Sequence, residues 1–107
     1  MDKYTYRVTW SEEDGEYVGL CTEFPSLSWL DKSSDKTFIG IRKLVAEAVE
    51  DMHNNGEKVP EPLASKKYTG KYSLRMPPEL HKKLTLLAAE QEISLSRFIN
   101  NKLASNL

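Results

Sequence analysis

Lys71, Ser73 and Arg75 stand at every second position of Lys71-Tyr72-Ser73-Leu74-Arg75-Met76. In an extended chain successive side chains point to opposite faces, so these three polar groups share one face and Tyr72, Leu74 and Met76 the other. The polar face has the chemistry of base-edge recognition. An arginine fork matches guanine O6 and N7, a serine hydroxyl donates or accepts at a base edge, and a lysine reaches a base or a phosphate. The apolar face asks for a core beneath it.

The elements that must position these groups lie directly downstream. Pro77-Pro78 stops the strand and opens a helix of about Pro78 to Gln91, with Leu80, Leu84, Leu87 and Ala88 on one face. Ser94 caps a second helix carrying Leu95, Phe98, Ile99 and Leu103. A lone strand leaves backbone donors and acceptors unpaired on both edges and needs a second strand. Antiparallel pairing of two chains about a twofold axis supplies it, with Tyr72, Leu74, Met76, Leu84, Phe98 and Ile99 as the dimer core. The resulting two-stranded ribbon fits the DNA major groove, as in the ribbon readers Arc and MetJ. Lys71, Ser73 and Arg75 are then the base contacts. The amides around Ser94, Leu95 and Ser96 at a helix N-terminus, together with Lys83, are the phosphate contacts. The alternative is an ordinary solvated edge strand and a plain helical hairpin.

Upstream, Tyr4 to Trp10 alternates apolar and polar and predicts a strand. The Ser11-Glu12-Glu13-Asp14-Gly15 turn leads into a second strand, Glu16 to Phe24, with Val18, Leu20, Thr22 and Phe24 on one face. Pro25 is expected to end it, and Leu27 to Leu30 to form a third. Ser34 is the expected cap of a helix with Phe38, Ile41, Val45, Ala48, Val49 and Met52 inward, closed by Asn54-Asn55-Gly56. The expected class is α+β, in which a small three-stranded antiparallel sheet plus helix is followed by a dimeric ribbon-helix-helix domain. The expected domains are 1–57, a linker at 58–67 containing Pro60 and Pro62, and 68–107.

Charge divides along the same line. Residues 1–65 carry 7 Lys/Arg against 13 Asp/Glu, whereas 66–107 carry 8 against 3. A basic end on an acidic body suits a polyanion partner at that end. A chain of 107 residues, 39% hydrophobic, supports one modest core or two small units and no large cleft. Its mean hydropathy of −0.55 and its lack of any apolar run near ~18 residues speak against a membrane role. Cys21 is the single cysteine, so no internal disulfide forms. With no export signal visible, a cytoplasmic location is expected.

Other chemistries find little footing. Glu12, Glu13 and Asp14 sit in a turn, Asp31 and Asp35 flank a loop, and Glu47, Glu50 and Asp51 lie on a helix. Such placements do not converge on a two-metal nuclease centre. His53 and His81 are isolated, Cys21 has no histidine partner, and no serine stands in a nucleophile-elbow setting. No catalytic residue, metal, cofactor or small-molecule substrate is expected.

The stretch Tyr68 to His81, with Ala88-Ala89-Glu90-Gln91 and Ser94-Leu95-Ser96, closely resembles the ribbon-helix-helix end of HicB-family antitoxins. Pro25 to Leu30, Gly40-Ile41 and Gly56 to Ala64 resemble the partial RNase H-like domain of that family, so the resemblance covers nearly the whole chain. It implies an antitoxin of a type II toxin-antitoxin system. The N-terminal domain would mask a HicA-type mRNA-cleaving toxin, and the C-terminal dimer would bind operator DNA and repress its own operon. The assembly expected is a homodimer or a dimer of dimers. The acidic half would attract a basic toxin, with Tyr17, Cys21 and Glu23 as the toxin-facing strand face. The competing reading is a stand-alone ribbon-helix-helix regulator without a toxin. One departure is Glu92, where the family commonly has glycine; a left-handed backbone there would cost ~1 kcal/mol.

Overall fold

Strand β1 (Tyr6–Ser11) is followed by β2 (Glu16–Cys21) and β3 (Phe24–Asp31). The structure is a computed structural model describing residues 2–107. The three strands pair antiparallel in the order β1-β2-β3. Gly15, at φ 63°, closes the first hairpin, and its N–H donates to Ser11 O at 2.9 Å. The second turn is tighter than the sequence suggests. Thr22-Glu23 make it, and Pro25 lies inside β3 instead of ending β2. An edge strand tolerates proline because the missing N–H is not needed by a neighbour.

Helix α1 (Ser34–Asn54) covers one face of this sheet. Its cap is Ser33, one residue before the expected Ser34, with the Ser33 Oγ accepting from Lys36 N. Asp31 fixes that choice by accepting from Ser33 N at 2.9 Å. The helix ends in a Schellman motif, Gly56 N donating to His53 O and Glu57 N to Met52 O, with Gly56 at φ 68°. The core consists of Cys21, Phe24, Ile41 and Val45, with Tyr4, Tyr6, Leu27, Leu44, Ala48, Val49 and Met52 packed around it. Buried Thr37 donates its hydroxyl to Ser33 O at 2.8 Å and leaves no polar atom stranded.

The sheet face that meets the helix is the reverse of the expected one. Gly19 and Cys21 point to α1, and a Cβ on Gly19 would lie 3.0 Å from Ile41 and Thr37 side-chain atoms. Val18 and Leu20 therefore lie on the opposite, uncovered face, with Leu30 across from Val18. A register shift at Leu20/Cys21 and the Thr22-Glu23 turn bring Phe24 back to the core side. Period-two alternation groups residues by face but does not say which face is buried. Here the small residues face inward because the helix comes close.

The chain forms two compact units, Met1–Thr69 and Gly70–Leu107. The stretch expected as a linker is tied to the first. Tyr4 Oη donates to Pro60 O at 2.7 Å, Leu63 N donates to Glu23 Oε2 at 2.9 Å, and Tyr68 Oη donates to Leu63 O at 2.9 Å. The second unit contains α2 (Pro78–Glu90) and α3 (Leu95–Ser105), with Ala88 and Phe98 buried between them. Residues 71–77 lie in neither helix nor strand, since no strand of the single chain pairs with them. None of the described helices is long and apolar enough to cross a membrane.

Candidate nucleic-acid interface

The second unit is small, and its hydrophobic residues are mostly uncovered. Tyr72 is 87% and Leu74 62% exposed, while Met76, Leu84 and Ile99 are half-buried and Phe98 is buried. Tyr72, Leu74 and Met76 line one groove with Gly70, Ile99 and Leu103. The alternate residues of the 71–76 segment thus meet α3, as the sequence pairing of apolar positions anticipates. Among the described residues, Tyr72 to Met76 make no backbone hydrogen bond within the chain. A run of five residues with open donors and acceptors and a bare tyrosine and leucine is poorly stabilised as it stands.

On the other side of this segment, Ser73 and Arg75 are exposed, as is Lys71. Arg75 lines a shallow hollow with Leu74, Met76, His81 and Leu95, which brings its side chain to the start of α3. Ser94 caps that helix, its Oγ accepting from Arg97 N at 3.1 Å, and Ser94 O accepts from Phe98 N at 2.9 Å. Capping consumes the Arg97 amide and leaves the Leu95 and Ser96 N–H groups without a partner among the described residues. Two free amides at the positive end of a helix, beside an arginine, suit an anionic oxygen. Lys83 is exposed on α2 in a hollow shared with Glu79, Leu80, Lys82 and Leu86.

Helix α2 meets α3 through a second Schellman closure. Glu92 N donates to Ala89 O and Ile93 N to Ala88 O, and Glu92 takes the left-handed position at φ 56°. This is the position that Gly56 fills at the end of α1. The turn keeps its shape with a non-glycine residue, at a cost of about 1 kcal/mol.

Tyr17, Cys21 and Glu23 do not come together as an exposed surface. Cys21 is 2% exposed beneath α1, and burial pushes its thiol pKa up. Tyr17 packs edge-on against Trp10, ring centroids 5.1 Å apart, on the helix side. Glu23 turns toward its own chain, accepting from Thr5 N, the Thr5 hydroxyl and Leu63 N. Burial opposes ionisation of this carboxyl, but the hydrogen bonds from Leu63 and Thr5 outweigh it and hold its pKa below the usual value. The outward face of the sheet is instead the one bearing Arg7, Thr9, Val18, Leu20 and Leu30. Among the described residues no cluster of three or more His, Cys, Asp and Glu side chains is arranged to hold a metal ion.

Residues 54–103 match the model of the HicB family. The match runs from the end of α1 through most of α3, just under half of the chain, and it supports membership of that family. No curated protein and no solved structure gives a significant match.

Proposed function

We propose that this chain is a HicB-family antitoxin that binds operator DNA through a dimeric β-ribbon, represses its own operon, and neutralises a HicA-type toxin through its first unit. The observation that carries the reading is the state of residues 72–76. An alternating segment with open backbone groups, and with Tyr72 and Leu74 bare, is completed by the same segment of a second chain. Pairing covers the apolar face with four helices and leaves Lys71, Ser73 and Arg75 of both chains projecting as a ribbon. The family match over 54–103 is consistent with an antitoxin role. The second unit, with 6 Lys/Arg against 3 Asp/Glu, has the sign of charge a phosphate backbone attracts.

Within this reading Arg75 discriminates guanine by its bidentate fork, and Ser73 and Lys71 add contacts on either side. The Leu95 and Ser96 amides fix the register on a phosphate. The toxin partner is basic, and the acidic first unit steers it. The function needs no cofactor and no catalytic residue.

Fluorescence anisotropy tests the DNA half: the protein is titrated onto labelled DNA from upstream of its own gene and onto a scrambled duplex, at two salt concentrations. Selective, salt-sensitive binding is expected. Equal affinity for both duplexes would remove the operator reading. Co-purification with a small basic protein tests the toxin half, and the absence of such a protein, or free growth of cells expressing it alone, would remove it.

A further inference from the structure

Residues 62–78 carry four Lys/Arg and no Asp/Glu, in a chain whose net charge is −1. The proposed ribbon uses two of these cations, Lys71 and Arg75. Lys66 and Lys67 have no part in it and none in the fold. Both are exposed, and neither side chain makes a hydrogen bond or an ion pair among the described residues. Like charges gathered this closely repel one another, so a run without a compensating carboxylate is unfavourable in the free protein and favourable beside a polyanion.

A formed turn presents the two lysines. Ser65 N and Lys66 N both donate to Pro62 O, at 3.2 and 3.1 Å. Glu23 Oε2 accepts from Leu63 N at 2.9 Å, and Tyr68 Oη donates to Leu63 O at 2.9 Å, so the backbone is held on both sides of the pair. Order that exists before a ligand arrives removes part of the entropy that a free tether would lose on binding.

Chain length keeps the pair close to the ribbon. Four residues separate Lys67 from Lys71, so their Cα atoms lie within about 14 Å of each other whatever path the backbone takes. That distance is about four base pairs of duplex, at roughly 3.4 Å each. A six-residue strand is roughly 20 Å long and the major groove about 12 Å wide, so the ends of a ribbon seated there emerge at the sugar-phosphate walls or beyond the bases it reads. The two strands of an antiparallel ribbon begin at opposite ends, which puts one lysine pair on each flank.

We propose that Lys66 and Lys67 bind DNA phosphates flanking the base pairs read by the ribbon, one lysine pair on each side of the twofold axis. The inference rests on the operator-binding reading and adds a sequence-independent contact to it. A lysine ammonium is a point charge on a flexible stem, suited to a phosphate oxygen and carrying no base information. The pairs raise affinity for all DNA and lengthen the stretch of backbone that is covered, and they leave the choice of sequence to Lys71, Ser73 and Arg75.

The test uses the full chain on labelled DNA from upstream of its own gene, and compares wild type with three double variants. These are Lys66→Gln with Lys67→Gln, Lys66→Arg with Lys67→Arg, and Lys36→Gln with Lys43→Gln. The last removes the same charge from exposed positions of α1. All the substituted residues are exposed, so the circular dichroism spectra should match that of wild type. Anisotropy gives the slope of log affinity against log salt, and hydroxyl-radical footprinting gives the protected backbone. With all four lysines of a dimer engaged, the glutamine pair at 66 and 67 should flatten the slope by about 3.6. It should also shorten protection by up to about four base pairs on each side, while the ratio of affinities for upstream and scrambled duplexes stays that of wild type. The arginine pair and the α1 variant should both keep the wild-type slope and footprint. An unchanged slope or footprint in the glutamine pair at 66 and 67, or an equal fall in the α1 variant, overturns the contact and leaves operator binding intact. A wild type without preference for the upstream duplex removes the operator reading and this contact with it, so the two failures are distinguishable.

Discussion

The Glu23 carboxylate accepts a hydrogen bond from the Leu63 amide at 2.9 Å, joining the β2–β3 turn to a residue forty positions later. The same carboxylate takes two further bonds from Thr5, so one side chain fastens both the approach to β1 and the segment after α1. Tyr4, adjacent to Thr5, repeats the pattern through Pro60. A stretch whose prolines and lack of periodicity look like a free tether is thus anchored to the first unit at Pro60 and Leu63, with Tyr68 bonded back onto Leu63.

Glu23→Gln should loosen this stretch. The amide keeps one acceptor but presents donors where Leu63 and Thr5 also donate, and the partly exposed site limits the loss to about 1 kcal/mol. Urea unfolding at neutral pH measures it, and trypsin should cleave faster at Lys66 and Lys67. The pH dependence has a definite sign. The carboxyl is held below its ordinary value of 4.5 in the folded state, so its stabilisation is complete above that value and is lost as pH falls through the folded one. The difference between wild type and Glu23→Gln should shrink in acid. A constant difference across that range would mean that the hydrogen bonds do not depend on the charge.

Much of the fold is legible from local pattern. The Asp14-Gly15 turn, the inward positions Ile41 and Val45, the Gly56 stop, the Ser94 cap and buried Phe98 all follow from periodicity and capping chemistry. What fails is information that periodicity does not contain. Val18 and Leu20 are the stronger hydrophobic signal on β2, yet the helix seats on Gly19 and Cys21 because small residues permit close approach. Glu23 gives no sign that its partners are amides distant in sequence. At the candidate interface, the alternation of Lys71, Ser73 and Arg75 with Tyr72, Leu74 and Met76 is readable from the chain, and so is the need of that segment for a partner strand, whereas the single chain does not contain the strand that would supply it.

Gly19→Ala should cost about 1–3 kcal/mol. Its new Cβ would lie 3.0 Å from Ile41 Cβ, Ile41 Cγ2 and Thr37 Cγ2, and both of those residues are fully buried and cannot swing aside. Thermal unfolding followed by circular dichroism gives the value. A neutral substitution would show that α1 slides over the sheet more freely than its packing implies.

Glu92→Gly should stabilise the second unit by about 1 kcal/mol. The residue holds φ 56° at the C′ position of a Schellman motif, where a Cβ is penalised, and its side chain is exposed with no hydrogen-bond partner among the described residues. Greater entropy of glycine in the unfolded chain offsets part of the gain. A higher midpoint in urea is the expected result, and a lower one would mean that the Glu92 side chain makes a contribution of its own.

Arg75 and Lys83 should differ in kind as DNA contacts. Arg75 lies on the polar face of the 71–76 segment, in a hollow it shares with Leu95 at the start of α3, and the proposed function assigns it to a base edge, so Arg75→Ala should reduce discrimination between operator and scrambled duplex by about 1–3 kcal/mol per contact. Lys83 lies on α2 and is assigned to phosphate, so Lys83→Ala should weaken binding to both duplexes alike and flatten the salt dependence. The two slopes of affinity against salt, read on both duplexes, separate these roles. Equal loss of discrimination in both variants would move base reading away from the 71–76 face. Retained discrimination in Arg75→Ala would leave Ser73 and Lys71 as the residues that read sequence.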